Sequence, residues 1–196
     1  HEEMWRNYVR GTLKCLKESH TNFGGVNLAI TGNVPQGAGL SSSASFEMAI
    51  LKTIVDLYQL DLDGVTAALM GQRAENEFVG CQCGIMDQLV SAVGLEGHAM
   101  LLDCRSLTFQ DAPIPDGIVI LVVNSNVKRG LVDSEYNARR QQCEEVARIL
   151  NVPALRDVSL EQLNGAMRNL SQEQYRRARH VVTENARTIA AMTAMK

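Results

Sequence analysis

Between positions 35 and 45 the chain reads Pro35-Gln36-Gly37-Ala38-Gly39-Leu40-Ser41-Ser42-Ser43-Ala44-Ser45. Gly37 and Gly39 permit backbone angles and close approaches that a Cβ would block. The serines stand where a helix is expected to begin, so N–H groups without intrahelical partners and the positive end of the helix dipole converge there. Such a place attracts anions, and a polyphosphate is a natural occupant. The hydroxyls add donors, or become magnesium ligands when a phosphate brings the metal. The loop is not a Walker A sequence: Gly32 and Gly37 have the spacing, but Ala38 stands where the lysine is required. There is no GxGxxG dinucleotide fingerprint either. The same residues suit an ordinary Ser-capped helix after a glycine turn, so glycines and serines alone leave both readings open.

The surrounding pattern predicts the elements that position this loop. Trp5, Tyr8, Val9, Leu13 and Leu16 recur at helical spacing over 4–16, and a turn follows at Phe23-Gly24-Gly25. Val26, Leu28 and Ile30 alternate with Asn27, Ala29 and Thr31, the period of a half-buried strand, which Pro35 closes. After the loop a long helix carries Phe46, Ile50, Leu51, Ile54, Val55 and Tyr58, and a second helix is expected over 64–78, with Val65, Ala68 and Leu69 as its stripe. Met100-Leu101-Leu102 and Ile118-Val119-Ile120-Leu121-Val122-Val123 read as strands, the second buried on both faces. Pro113 and Pro115 mark the best boundary between two parts of the chain. Beyond them the pattern is mostly helical, and both Ser159-Leu160-Glu161-Gln162 and Ser171-Gln172-Glu173-Gln174 fit the capping box.

Composition narrows the class. The 196 residues are 45% hydrophobic and 21% charged, with 19 Lys and Arg against 22 Asp and Glu, a formal net charge of -3. That length suits one or two domains with a buried core. The charge balance gives no basic excess for nucleic acid or an anionic membrane, and no apolar run reaches the roughly 20 residues of a membrane helix. The five cysteines, Cys15, Cys81, Cys83, Cys104 and Cys143, are odd in number and form no CxxC pair, while the four histidines form no HxxxH pair. Reduced, mostly buried thiols in a cytoplasmic protein are expected, rather than a transition-metal site.

Read as a whole, Pro-x-x-x-Gly-Leu-Ser-Ser-Ser-Ala resembles the second motif of the GHMP small-molecule kinases, whose loop wraps ATP phosphates without a Walker lysine. Cys83-Gly84-Ile85-Met86-Asp87-Gln88 is similar to the catalytic segment of the galactokinases within that family. Trp5-x-Asn7-Tyr8-Val9-x-Gly11 and Ser134-Glu135-Tyr136-Asn137-x-Arg139-Arg140 resemble them too. The resemblance implies that Gly37, Ala38, Gly39, Leu40, Ser41, Ser42, Ser43 and Ala44 hold the ATP phosphates. It implies that Asp87 is the catalytic carboxylate at the sugar's anomeric hydroxyl, and that Ser43 and Glu75 hold Mg²⁺. Gly84, Asp87 and Tyr136 would contact the sugar, and Trp5 would lie beside the adenine. Taken without the motif, Asp87 reads as a capping or solvated residue, Glu75 as an exposed helix carboxylate, Tyr136 as a half-buried aromatic and Trp5 as a core anchor. Arg139 and Arg140 read as a solvated helix face.

The fold implied is α+β, the two-domain GHMP kinase architecture truncated at both ends. Residues 1–112 would be part of the N-terminal nucleotide-binding domain and 113–196 the incomplete beginning of the C-terminal one. The family's N-terminal domain contains a left-handed βαβ crossing, against the usual hand. The activity implied is ATP-dependent phosphorylation of galactose to galactose 1-phosphate, with Mg²⁺, in a cytoplasmic and monomeric parent enzyme. The alternatives are a kinase of N-acetylgalactosamine or another sugar, and a non-catalytic sensor of ATP and sugar. The first motif, which supplies an arginine at the transferred phosphate and most sugar contacts, and the glycine-rich third motif are absent from the chain. Little or no turnover by these 196 residues alone is therefore expected, as is an unpaired sheet edge.

Overall fold

A computed structural model describes residues 4–124 and 132–195, with the side chains of Met4 and of 132–136 outside the description. The element order is α1 (Met4–Ser19), α2 (Ser42–Tyr58), α3 (Gly64–Ala74), α4 (Met86–Val93), β1 (His98–Leu102), β2 (Phe109–Pro113), α5 (Val132–Ile149), α6 (Leu160–Gly165) and α7 (Gln172–Met195). A five-residue π-helical turn, Glu75–Val79, continues α3, and short 3-10 turns cover Leu155–Asp157 and Met167–Asn169.

One apolar cluster is built around Leu16, Met48, Leu51, Ile54, Ala68, Ile85 and Leu89, joining α1 to α4. Full burial of a leucine or isoleucine here is worth about 1.5–3 kcal/mol. The small residues Ala68 and Gly71 on α3 let α2 and α4 close in. A Cβ on Gly71 would stand 2.5 Å from Met48 Cε and 3.2 Å from both Gln88 Cγ and Glu47 Oε2. Asp63 caps α3 by accepting from the Thr66 amide at 2.9 Å, which fixes where that helix starts.

A second cluster joins α5, α6 and α7 through Val146, Ala147, Leu155, Val158, Leu163 and Ala178. The two clusters fall on either side of Pro113. Both capping boxes form as expected: Ser159 and Gln162 exchange bonds of 3.1 and 2.9 Å, and Ser171 and Gln174 do the same. The β1–β2 turn is tied to the 3-10 turn at 155–157 by two crossed ion pairs. Arg156 grips Asp103 at 2.6 and 2.7 Å, and Arg105 grips Asp157 at 3.0 and 2.7 Å. Arg156 also holds the Asp103 carboxyl well below the usual carboxylate range.

Three expectations from periodicity are corrected. The predicted helix over 64–78 leaves α geometry after Ala74, where the π-helical turn begins. The alternating run 26–30 is not a strand, and neither is 118–123, whose residues are 57–84% exposed. The period-two pattern is real, but a strand requires a neighbour to receive its N–H and C=O groups. The sole described sheet is the antiparallel β1–β2 pair, registered with Met100 opposite Asp111. The left-handed βαβ crossing is accordingly not among the described elements.

The run 118–123 has a consequence in solution. Six apolar residues rich in branched side chains, without charge and without a paired edge, form a template for intermolecular strands. The chain should self-associate, and Val119→Lys with Leu121→Lys should shift it to a smaller species by size exclusion with light scattering. An unchanged elution would remove this segment as the cause.

Candidate active site

The loop before α2 takes the shape its glycines permit. Gly37 and Gly39 lie at φ 70° and 76°, and Ser41 at φ 54°. Positive φ recurs at every second residue, with Ala38 and Leu40 outside that region, an alternation of the kind from which a nest of amides is built. Ser41 is an unusual N-cap: it sits in left-handed geometry and its side chain makes no capping bond. Such geometry costs a non-glycine residue about 1–2 kcal/mol. The result is a first turn of α2 whose amides, at Ser42, Ser43 and Ala44, are not capped by Ser41. Ser42 and Ser43 are half-buried and Ala44 is buried.

Three polar residues sit where the core stripes of their helices would otherwise be apolar. Glu47 follows Ala44 and precedes Leu51 and Ile54 on the inner face of α2, and is fully buried. Glu75 continues the Ala68–Gly71 face of α3 into the π-helical turn and is 7% exposed. Gln88, buried on α4, joins them: its side-chain amide donates to Glu75 Oε2 at 2.8 Å and to Glu47 Oε2 at 3.1 Å. Glu47 Oε1 and Gln88 Oε1 have no hydrogen-bond partner. Burial first, and the Glu75 charge second, push the Glu47 carboxyl up to about 8. Burial likewise raises Glu75 above its ordinary value, opposed by hydrogen bonds from Ser43, Cys83 and Gln88 and reinforced by the charge of Asp87.

Ser43 lowers and Asp87 raises the Glu75 carboxyl, so both lie near enough to act on it. Ser43, Glu75 and Asp87 are brought together. Asp87 is half-buried in the first turn of α4, beside Gln88 in the chain. Successive helical residues turn about 100°, so Gln88 points into the core while Asp87 does not. The Cys83 thiol, kept protonated mainly by burial, lies 3.6 Å from Glu75 Oε2 and 3.5 Å from Asn76 Oδ1.

Gly84 is exposed in the segment before α4 and lines a cavity of about 1060 Å³ with Cys83, Ile85 and Met86. Helix α5 is fastened to this segment. Asn137 Oδ1 accepts from the Gln82 amide at 3.1 Å, and Arg140 donates to the Gln82 carbonyl at 3.1 Å. Arg140 is thus more than a solvated face, and Asn137 is a second clamp that residue types alone do not disclose. Tyr136 adjoins Asn137 on α5, but its side chain lies outside the described residues. Trp5 is 51% exposed on α1 and lines a separate groove of about 360 Å³ with Val9, Phe23, Val26, Leu28 and Ile30.

Ser43 and Glu75 offer the oxygen ligands that Mg²⁺ prefers. Among the described residues no three His, Cys, Asp or Glu side chains converge as a metal cage. The donor set fits a cation that arrives with phosphate oxygens and water around it, and does not fit a dedicated transition-metal site. No described helix is long and apolar enough to cross a membrane.

Residues 7–95 match the family described as GHMP kinases N terminal domain. The crystal structure of Lactococcus lactis galactokinase complexed with galactose superposes with a TM-score of 0.83 at 29% sequence identity. The match covers 97% of this chain and 51% of that one, so the chain spans about half the length of that galactokinase. Residues 7–95 thus resemble the GHMP kinase N-terminal domain, and the chain as a whole has a galactokinase-like GHMP kinase fold.

Proposed function

We propose that this chain carries the phosphate cradle and the acidic centre of a sugar 1-kinase that transfers the γ-phosphoryl group of ATP to the anomeric hydroxyl of galactose. One observation supports the reading: the Glu75 carboxyl is influenced both by Ser43, in the first turn after the cradle, and by the charge of Asp87. In this reading phosphate loop and acid group serve one small substrate pair.

The amides of residues 37–44 hold the triphosphate tail, compensating its charge without a lysine. Ser42 contacts phosphate, while Ser43 and Glu75 would hold Mg²⁺, which supplies neutralisation of the charge shared between the β- and γ-phosphates. Asp87 orients the sugar's C1 hydroxyl and accepts its proton as the hydroxyl oxygen bonds to phosphorus. The bond from phosphorus to the ADP oxygen breaks in the same displacement, and ADP leaves. Gly84 and Tyr136 contribute to the sugar's surroundings, and the Trp5 groove offers an aromatic wall for adenine. Galactose, the ligand named for the superposed enzyme, supports a hexose as acceptor. The five free thiols suit a reducing cytoplasmic compartment, and the enzyme is read as a monomer.

Calorimetric titration of the chain with ATP tests the cradle. Binding should require Mg²⁺ for full affinity, and Ser43→Ala should weaken the Mg²⁺-dependent part by about tenfold while leaving affinity in EDTA nearly unchanged. Absence of ATP binding, or a Ser43→Ala titration identical to wild type in both buffers, overturns the assignment. Phosphorylation of galactose by a full-length kinase carrying this segment, against a panel that includes N-acetylgalactosamine, tests the acceptor.

A further inference from the structure

We propose that Gln88, anchored by Glu47, is a positioning residue that aims the Glu75 carboxylate at the cation of the bound nucleotide. This rests on the reading of Ser43 and Glu75 given above, and extends it to two buried side chains that touch no substrate in that reading.

The geometry is a three-residue bridge. A single side-chain amide has two hydrogens, and the two nearest acceptors of Gln88 are carboxylates from different helices, Glu75 at 2.8 Å and Glu47 at 3.1 Å, with the Cys83 sulfur farther off at 3.7 Å. Gln88 is 1% exposed and Glu47 is 0% exposed, so neither bond competes with bulk water. Glu47 stops the amide from turning away, and the amide fixes the rotation of the Glu75 carboxylate. Gly71 makes the convergence possible, since a Cβ there would press on both Gln88 and Glu47.

Residue type matters as much as place. A lysine or arginine at position 88 would hold Glu75 just as firmly, but would cancel the negative charge that draws a cation. A neutral amide holds the carboxylate and leaves its charge in place. This is the task of residues just outside a metal's own ligands, which set ligand orientation and whose loss costs metal affinity. Gln88 follows Asp87 in the first turn of α4, so the same turn also sets the position of the carboxylate proposed to accept the sugar's proton.

The test uses the full chain with a non-hydrolysable ATP analogue and Mn²⁺ as a spectroscopic substitute for Mg²⁺, following free Mn²⁺ by electron paramagnetic resonance. Gln88→Met keeps length and approximate volume while deleting both donors. It should weaken Mn²⁺ affinity of the nucleotide complex by about 10- to 100-fold, with affinity for the metal-free nucleotide held within about twofold, because Gln88 does not touch the nucleotide. Glu47→Gln keeps an oxygen for Gln88 and should bind Mn²⁺ like wild type, whereas Glu47→Leu should weaken it. That pair remains decisive should Gln88→Met fail to fold, since a merely structural role would not sort them by hydrogen-bonding capacity. Wild-type Mn²⁺ affinity in Gln88→Met, or equal affinities in the two Glu47 variants, overturns the proposal while Glu75→Gln still abolishes binding. Should Glu75→Gln itself bind Mn²⁺ normally, the reading of the site fails, and the positioning role with it.

Discussion

Replacing Asp87 by Asn in a full-length kinase that carries this segment should lower kcat by about 100- to 10,000-fold, the range for loss of a positioned acid–base group. The substitution is nearly isosteric and keeps the first turn of α4 intact, so the fold should survive. What it removes is the negative charge and the ability to take the proton of the attacking hydroxyl. Nucleotide affinity should change little, because the proposed phosphate contacts come from the backbone of residues 37–44 and not from α4. One secondary effect has a definite sign. Asp87 is one of the charges that raises Glu75, so the variant should leave Glu75 more readily ionised and its hold on a divalent cation no weaker. Rapid-quench measurement of phosphoryl transfer, paired with equilibrium titration of ATP with Mg²⁺, separates the two quantities. A kcat near wild type would show that Asp87 is not the essential carboxylate. A parallel loss of nucleotide affinity would show that it acts by holding the loop.

Much of the site's frame is legible in the residues because the governing interactions are local. Helical spacing gives α1 and α2, Ser159 and Ser171 announce their own capping boxes, and Gly37 and Gly39 require a backbone that folds back on itself. Pairing is not local. The alternation in 26–30 states which side chains seek a core, but not which segment will accept the backbone bonds, and no described segment does so. The run 118–123 misleads for the same reason: continuous apolar sequence suggests burial on both faces, yet here it stands exposed. Glu47 and Gln88 carry a signal that periodicity could have used. Glu47 lies in register with Ala44, Leu51 and Ile54, where a charged residue is out of place. A carboxylate on a core stripe demands a partner, and the partner is another polar residue on a core face. The clamp from Asn137 and Arg140 is beyond such reasoning, since more than fifty residues separate each from Gln82.

Glu47 should also make the folded state more stable in mild acid than in mild alkali, the reverse of the usual carboxylate. Its ordinary pKa of 4.5 describes the unfolded chain, and its folded value is about 8. Between those limits the folded protein retains a proton that the unfolded chain has released. Stability is then fully present below about pH 4.5 for this group and is lost as pH rises through 8. Each unit of separation is worth about 1.4 kcal/mol, so the total is a few kcal/mol at most. Glu75, raised by burial, contributes with the same sign. Glu47→Gln replaces the protonated acid with a neutral group of the same size. The variant should match wild type near pH 5 and exceed it near pH 9, with a flatter dependence between them. Urea unfolding at several pH values, with m-values compared to confirm that the same surface is exposed, measures this directly. Parallel wild-type and variant curves would mean that Glu47 is ionised across the range. The two orphaned oxygens on Glu47 and Gln88 would then have to be satisfied by water or a cation. A carboxylate that is neutral at neutral pH explains how two acids can share one amide inside the core.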